Sequence, residues 1–148
     1  MMNKEKLIQT MIQHQRELVN EFAEKVATVH SMVDLDEGDT LDPEDFSHQH
    51  TSGEMEQLMR VQLNRAERCL ESLHSLDVAS KKSVMQGAYV ETDQFNCLVC
   101  FATAPFECCG KTVIGISKES PLYAAMIGKH VNESFSFAGK KYTINTIL

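Results

Sequence analysis

The sequence predicts an α+β protein: an N-terminal antiparallel coiled-coil helical hairpin, followed by a small antiparallel-sheet domain that carries one short helix. Two observations predict it. Up to about residue 76 apolar residues recur at steps of three and four, the period of a helix with one buried face. Beyond about residue 83 they alternate or cluster in short runs separated by turn dipeptides, the pattern of strands. The stretch Asp77-Val78-Ala79-Ser80-Lys81-Lys82-Ser83 has neither period and marks a boundary near residue 80. The expected domains are therefore 1–80 and 81–148.

The first helix is expected over residues 3–33. Leu7, Met11, Leu18, Phe22, Val26, Val29 and Val33 form its stripe, and no Pro or Gly interrupts it. The second is expected over 53–76, with Met55, Leu58, Gln62, Ala66, Cys69, Leu73 and Leu76 as its stripe. Thr51 followed three residues later by Glu54 reads as a capping box at its start. Narrow seams on two long helices joined by one loop read as a coiled-coil hairpin. The joining loop, about 34–52, holds seven acids and no base between Asp34 and Asp45. Such a loop is either a solvated acidic turn or a presented cluster of carboxylates.

In the second half, strands are expected over 88–91, 95–101, 112–116, 134–137 and 141–147. Turns fall at Asp93-Gln94, Cys109-Gly110 and Ala138-Gly139. A short helix is expected over 121–127, with Ser120 as its N-cap, Pro121 in its first turn and Gly128 ending it.

Charge is divided between the halves. Residues 1–80 carry seven Lys/Arg against sixteen Asp/Glu, whereas 81–148 carry seven Lys against five acids. A free nucleic-acid binder would show a basic stripe, and none is present. An acidic arm on a mildly basic domain suits a protein partner. The sequence lacks a signal-peptide pattern at its start and any run of about 18 apolar residues. A cytoplasmic protein with no membrane partner is expected.

The segment Ile116-Ser117-Lys118-Glu119-Ser120-Pro121-Leu122, then Met126-Ile127-Gly128-Lys129, then Asn132-Glu133-Ser134-Phe135, resembles the C-terminal signature of the GreA/GreB transcription elongation factors. In that family an "IS…SP" stretch opens a short helix, which ends in Gly-Lys before a final hairpin. Ser117, Ser120, Pro121, Gly128 and Lys129 match it here. The resemblance implies that the second domain is FKBP-like. It also implies that the partner is bacterial RNA polymerase, with DNA and RNA met only indirectly through the elongation complex.

The family's hairpin presents tip acids to the polymerase active centre, and its tip reads Gly-Asp-Leu-Lys-Glu-Asn-Ala-Glu-Tyr. The corresponding residues here are Gly38-Asp39-Thr40-Leu41-Asp42-Pro43-Glu44-Asp45-Phe46. Asp39 matches the metal-directed Asp, Asp42 stands where the Glu stands, and Gly38, Asp45 and Phe46 support the tip. Pro43 in place of Asn, and the shorter Asp42, depart from the pattern.

Carboxylates suit that task because Mg2+ takes hard oxygen ligands and two metal ions can stabilise the attacking and leaving oxygens of a phosphodiester cleavage. The resemblance thus implies a factor that is not an enzyme itself. It would promote cleavage of backtracked RNA by the polymerase's own nuclease, sharing the polymerase's Mg2+ and holding no cofactor stably. Two alternatives stay open: a regulator that occupies the polymerase channel without stimulating cleavage, and a zinc-stabilised coiled-coil adaptor.

The adaptor reading rests on Cys97-x-x-Cys100 and Cys108-Cys109 as four thiolates. Against it, Cys97 and Cys100 lie three apart in a strand run and point to opposite faces, so reduced thiols are the expectation. His48 and His50 beside the acids read as polar filler. An FKBP-like fold raises prolyl isomerase activity, but the absence of Trp and the scarcity of aromatics argue against an aromatic-floored pocket.

Overall fold

The computed structural model describes the backbone of residues 2–36 and 43–148, and the side chains of 2–31 and 53–148. Helix α1 spans Lys4–Asp36 and α2 spans Pro43–His74. At 1.5 Å per residue each is about 50 Å long. Asn3 caps α1, its side-chain Oδ1 accepting from the Lys6 N–H at 3.0 Å. Both helices are longer at the hairpin end than the periodicity predicts. The second begins at Pro43 rather than near Gly53, so Thr51 and Glu54 are interior to it and are not a capping box. Residues 43–52 offer no apolar period to read, whereas Pro at a first helical position loses no intrahelical bond.

The chain divides into two compact units, Met1–Met11 with Ser72–Leu148, and Ile12–Glu71. This division by compactness is distinct from the change of periodicity near residue 80. In the all-helical unit, Gln15 donates through Nε2 to the Ala66 carbonyl at 2.9 Å, and His30 Nδ1 meets Glu56 Oε1 at 2.8 Å. As α1 ascends from 15 to 30, α2 descends from 66 to 56, so the pair is antiparallel. Among the described side chains of this unit, Ile12, Gln15, Val26, Val29 and Ala66 are buried. The expected stripes are partly shifted: Leu18, Met55, Leu58 and Gln62 are exposed, Phe22 and Cys69 are half-buried as expected, and Val19, Met59, Leu63 and Leu70 from outside the stripes are half-buried too. A buried Gln on the seam spends one side-chain bond on a backbone carbonyl, which fixes register at a polar position.

The other unit holds a six-stranded sheet and α3 (Pro121–Met126). The strands are β1 (Tyr89–Thr92), β2 (Asn96–Cys100), β3 (Phe106–Cys108), β4 (Lys111–Ser117), β5 (Ser134–Phe137) and β6 (Lys140–Ile147), in the order β3-β4-β2-β1-β6-β5. The expectation of an antiparallel sheet needs correction. β2 and β4 pair in parallel, Cys97 opposite Ile114 and Val99 opposite Ile116, so the sheet is mixed. The short β3, absent from the expected strands, makes this possible. It runs back along β4, and their hairpin carries β4 in beside β2.

Three turns set the registers. Asp93-Gln94 joins β1 to β2, where the buried Thr92 hydroxyl donates to the Phe95 carbonyl and accepts from the Gln94 and Phe95 N–H groups. Cys109-Gly110 and Ala138-Gly139 are two-residue loops with both φ positive (55° and 77°, 52° and 79°). That is the mirror-image turn whose twist matches a hairpin.

One face of the sheet carries the apolar core: Val90, Cys97, Val99, Ile116, Phe135, Ile144 and Ile147, closed by Tyr123 and Met126 of α3. By strand alternation Tyr89, Leu98 and Val113 face the other way, and they are just as buried. The same unit contributes Leu7, Met11 and Leu73 from the roots of the helices, all buried. A sheet buried on both faces explains why its central strands read as continuous apolar runs.

Candidate functional site

The residues from Ile116 to Phe137 form a continuous segment built by local rules. Ile116 closes β4 in the core. At the strand end, Ser117 Oγ accepts from the Glu119 N–H at 3.1 Å and the Ser117 carbonyl accepts from the Ser120 N–H at 3.0 Å, turning the chain. Ser120 is extended and caps α3, its Oγ accepting from the Tyr123 N–H at 3.2 Å, with Pro121 next in line. The helix stops at the C-cap Ile127, and Gly128 follows at φ 77°, the left-handed position that glycine fills without strain. Gly128 therefore sits one residue beyond the cap it was expected to be.

From Gly128 the chain pairs with the entry strand. The Gly128 N–H donates to the Val84 carbonyl, the Val84 N–H donates to the Lys129 carbonyl (both 2.9 Å), and Ser83 bridges His130. This ladder brings together residues the sequence leaves far apart. Met85, Ile127 and Val131 are 43%, 57% and 41% exposed, large apolar side chains on and beside it. Lys82 and Lys129 flank them in sequence. Nothing in the periodicity distinguishes these three from core residues, so sequence reasoning missed them.

A second polar feature was also missed. Glu91 of β1 accepts from Lys111 Nζ at 2.5 Å and from the Tyr89 hydroxyl at 2.7 Å, with Thr146 as a further side-chain partner. Burial pushes the Glu91 carboxyl up, but these bonds outweigh it and hold it below the usual carboxylate range. Burial and the bond to Glu91 push the Tyr89 phenol above its ordinary value. Glu91 and Lys111 also line a shallow cleft of about 580 Å³ with Phe95, Asn96, Thr112 and Ile114. Glu91 and Lys111 lie twenty residues apart on different strands, and topology has to bring them together before this cluster can be seen.

Of the tip residues, Gly38, Asp39 and Asp42 lie outside the described residues. Asp45 and Phe46 fall on the first turn of α2, and their side chains lie outside the described ones. His48 and His50, expected in a loop, fall within α2, again with side chains outside the described ones. Among the cysteines, Cys97 is buried in the core of the sheet, on the opposite side of its strand from Cys100. Cys108 and Cys109 stand together at the β3–β4 turn. No helix among the described residues is long and apolar enough to cross a membrane.

No family model and no curated protein matches this chain. Among solved structures it is similar to that of the transcription factor Gfh1, at 15% identity and a TM-score of 0.36, covering 92% of each chain. It is similar also to GreA factor homolog 1 (Gfh1) of Thermus thermophilus, at 16% identity and a TM-score of 0.35, covering 95% of this chain and 92% of that one. At those scores the likeness carries no functional argument, and the residues themselves have to.

Proposed function

We propose that this chain is a Gre-type factor that binds bacterial RNA polymerase and promotes cleavage of backtracked RNA, its tip carboxylates Asp39 and Asp42 reaching the polymerase's catalytic Mg2+. The observation that supports it best is the signature segment. Ser117, Ser120, Pro121, Gly128 and Lys129 take the order of strand end, cap, helix, left-handed stop and return that the resemblance implies. Two helices of 33 and 32 residues precede them in the chain, and Asp39 and Asp42 lie between the two in sequence.

In this reading the sheet unit docks and the tip acts. The apolar Met85, Ile127 and Val131 beside Lys82 and Lys129 supply a docking face with desolvatable area and a positive rim. The tip then adds hard oxygen ligands where the polymerase holds its second metal weakly, which lowers the barrier to water attack on the phosphodiester. In this reading the attacking water and the base that activates it belong to the polymerase.

One observation favours a second reading, a channel-occupying regulator without cleavage. Helix α2 opens at Pro43, where the family pattern has Asn, so the later tip positions Asp45 and Phe46 belong to a helical first turn. The two readings separate when the protein is added to stalled, backtracked polymerase complexes. Faster release of short RNA 3′ fragments supports the cleavage factor. Binding without faster release supports the regulator, and no binding removes both.

A further inference from the structure

We infer that Cys108 and Cys109 form a two-thiol site for a soft, thiophilic centre, of which trivalent arsenic bound to one organic group is the simplest representative. The two Sγ atoms lie 3.6 Å apart at the β3–β4 turn. Cys108 ends β3 and is buried, whereas Cys109 occupies the first position of the turn, exposed, at φ 55°. Asn would be the ordinary residue at such a position, and Cys is not selected there by turn chemistry.

Geometry decides what the pair can do. Neighbouring Cα atoms are about 3.8 Å apart across a trans peptide, below the roughly 4.4 Å at which unstrained disulfides begin. A 108–109 disulfide is therefore disfavoured. A single pyramidal atom bonded to both sulfurs at about 2.3 Å with an angle of about 100° spans about 3.5 Å between them. The observed 3.6 Å is already that bite. The core position of Cys97, on the other side of β2 from Cys100, excludes a four-thiolate arrangement. The centre must therefore be one that two thiols satisfy.

The surroundings prepare the exposed sulfur. The Asn3 backbone N–H donates to Cys109, the Cys108 thiol donates to it as well, and Lys6 adds positive charge, holding the Cys109 thiol below its ordinary range. Burial pushes the Cys108 thiol the other way. The Thr10 hydroxyl sits 3.7 Å from Cys108 Sγ. In the reaction with a hydrated arsenical, two As–O bonds break and two As–S bonds form. Each thiol proton leaves with a hydroxide as water, and no oxidation state changes. Occupation removes the thiol protons and repositions both sulfurs against Asn3 and Thr10, so it loosens the first turns of α1.

The test uses the full chain with phenylarsine oxide in excess glutathione, read by intact mass. One arsenical per chain, stable to the monothiol and released by dithiothreitol, is expected. Cys109→Ser, at an exposed turn, should weaken retention about a hundredfold or more, because one-point binding loses the effective concentration of the second thiol. Cys108→Ser should do the same, and where that buried substitution disturbs folding, Cys109→Ser decides alone. Amide exchange should quicken at residues 3–10 on binding. No adduct on the unsubstituted chain, or full retention by Cys109→Ser, would overturn the site. An adduct without faster exchange would overturn its coupling to α1.

Discussion

Replacing Glu91 by Gln tests the polar cluster that pins β1 to β4 and β6. The carboxylate is only 14% exposed and accepts from Lys111 at 2.5 Å and from Tyr89 at 2.7 Å. Gln keeps the length and one carbonyl oxygen, so the Tyr89 bond can persist while the charge is removed. A hydrogen bond to a charged group contributes about 1.5–3 kcal/mol. Lys111 is 36% exposed and regains water when its partner is neutral, which puts the expected loss at about 1–2 kcal/mol near neutral pH.

The dependence on pH follows from the same bonds. The folded Glu91 carboxyl is held below its unfolded value of about 4.3. Its contribution is therefore fully present above that value and is lost as pH falls through the folded pKa. Urea unfolding of the sheet should show Glu91→Gln destabilised at pH 7, with a smaller difference from the unsubstituted chain at pH 3. A difference that is the same at both pH values, or below about 0.3 kcal/mol at pH 7, would refute the reasoning.

Gly115→Ala should destabilise the sheet unit by about 1–3 kcal/mol in the same assay, since its Cβ would lie 2.4 Å from the Phe101 carbonyl oxygen and 2.8 Å from Thr103 Cγ2. Ala138→Gly should stabilise by up to about 0.5–1 kcal/mol, because φ 52° strains any residue with a Cβ; a loss of stability would contradict the left-handed turn. Lys4, buried and facing Lys81, has its pKa lowered to about 8, against about 10.4 unfolded. Between those values the unfolded chain binds more protons, so stability should rise with pH, and Lys4→Met should flatten that rise.

Much of this fold is legible in the chain because its signals are local. Ser120-Pro121 opens a helix and Gly128 ends it for reasons contained in a few residues, and the three hairpin turns lie where their dipeptides put them. What failed was whatever depends on distant partners. The parallel pairing of β2 with β4 needs β3, a three-residue strand after Pro105 that is too short to show alternation. Met55 and Leu58 match a helical stripe as well as Met59 and Leu63 do, and only the facing helix decides between them. Of the candidate site, the signature segment was readable because it is continuous. The proximity of Met85 to Ile127 and Val131 was not, because a backbone ladder between residues 83–84 and 128–130 creates it. The tip was legible as charge and as resemblance, not as geometry.

The proposal that this chain brings carboxylates to the polymerase is tested most directly by one comparison: the rate of RNA 3′-fragment release from backtracked complexes with the unsubstituted chain and with Asp39→Asn/Asp42→Asn. Asn keeps size while removing two charges from a segment of seven acids, so the comparison isolates the role of charge. The account predicts that the unsubstituted chain accelerates release and that the double variant binds polymerase equally well without accelerating it. If metal recruitment is the whole role of the pair, raising magnesium should restore part of the rate. Equal acceleration by the double variant would contradict the account.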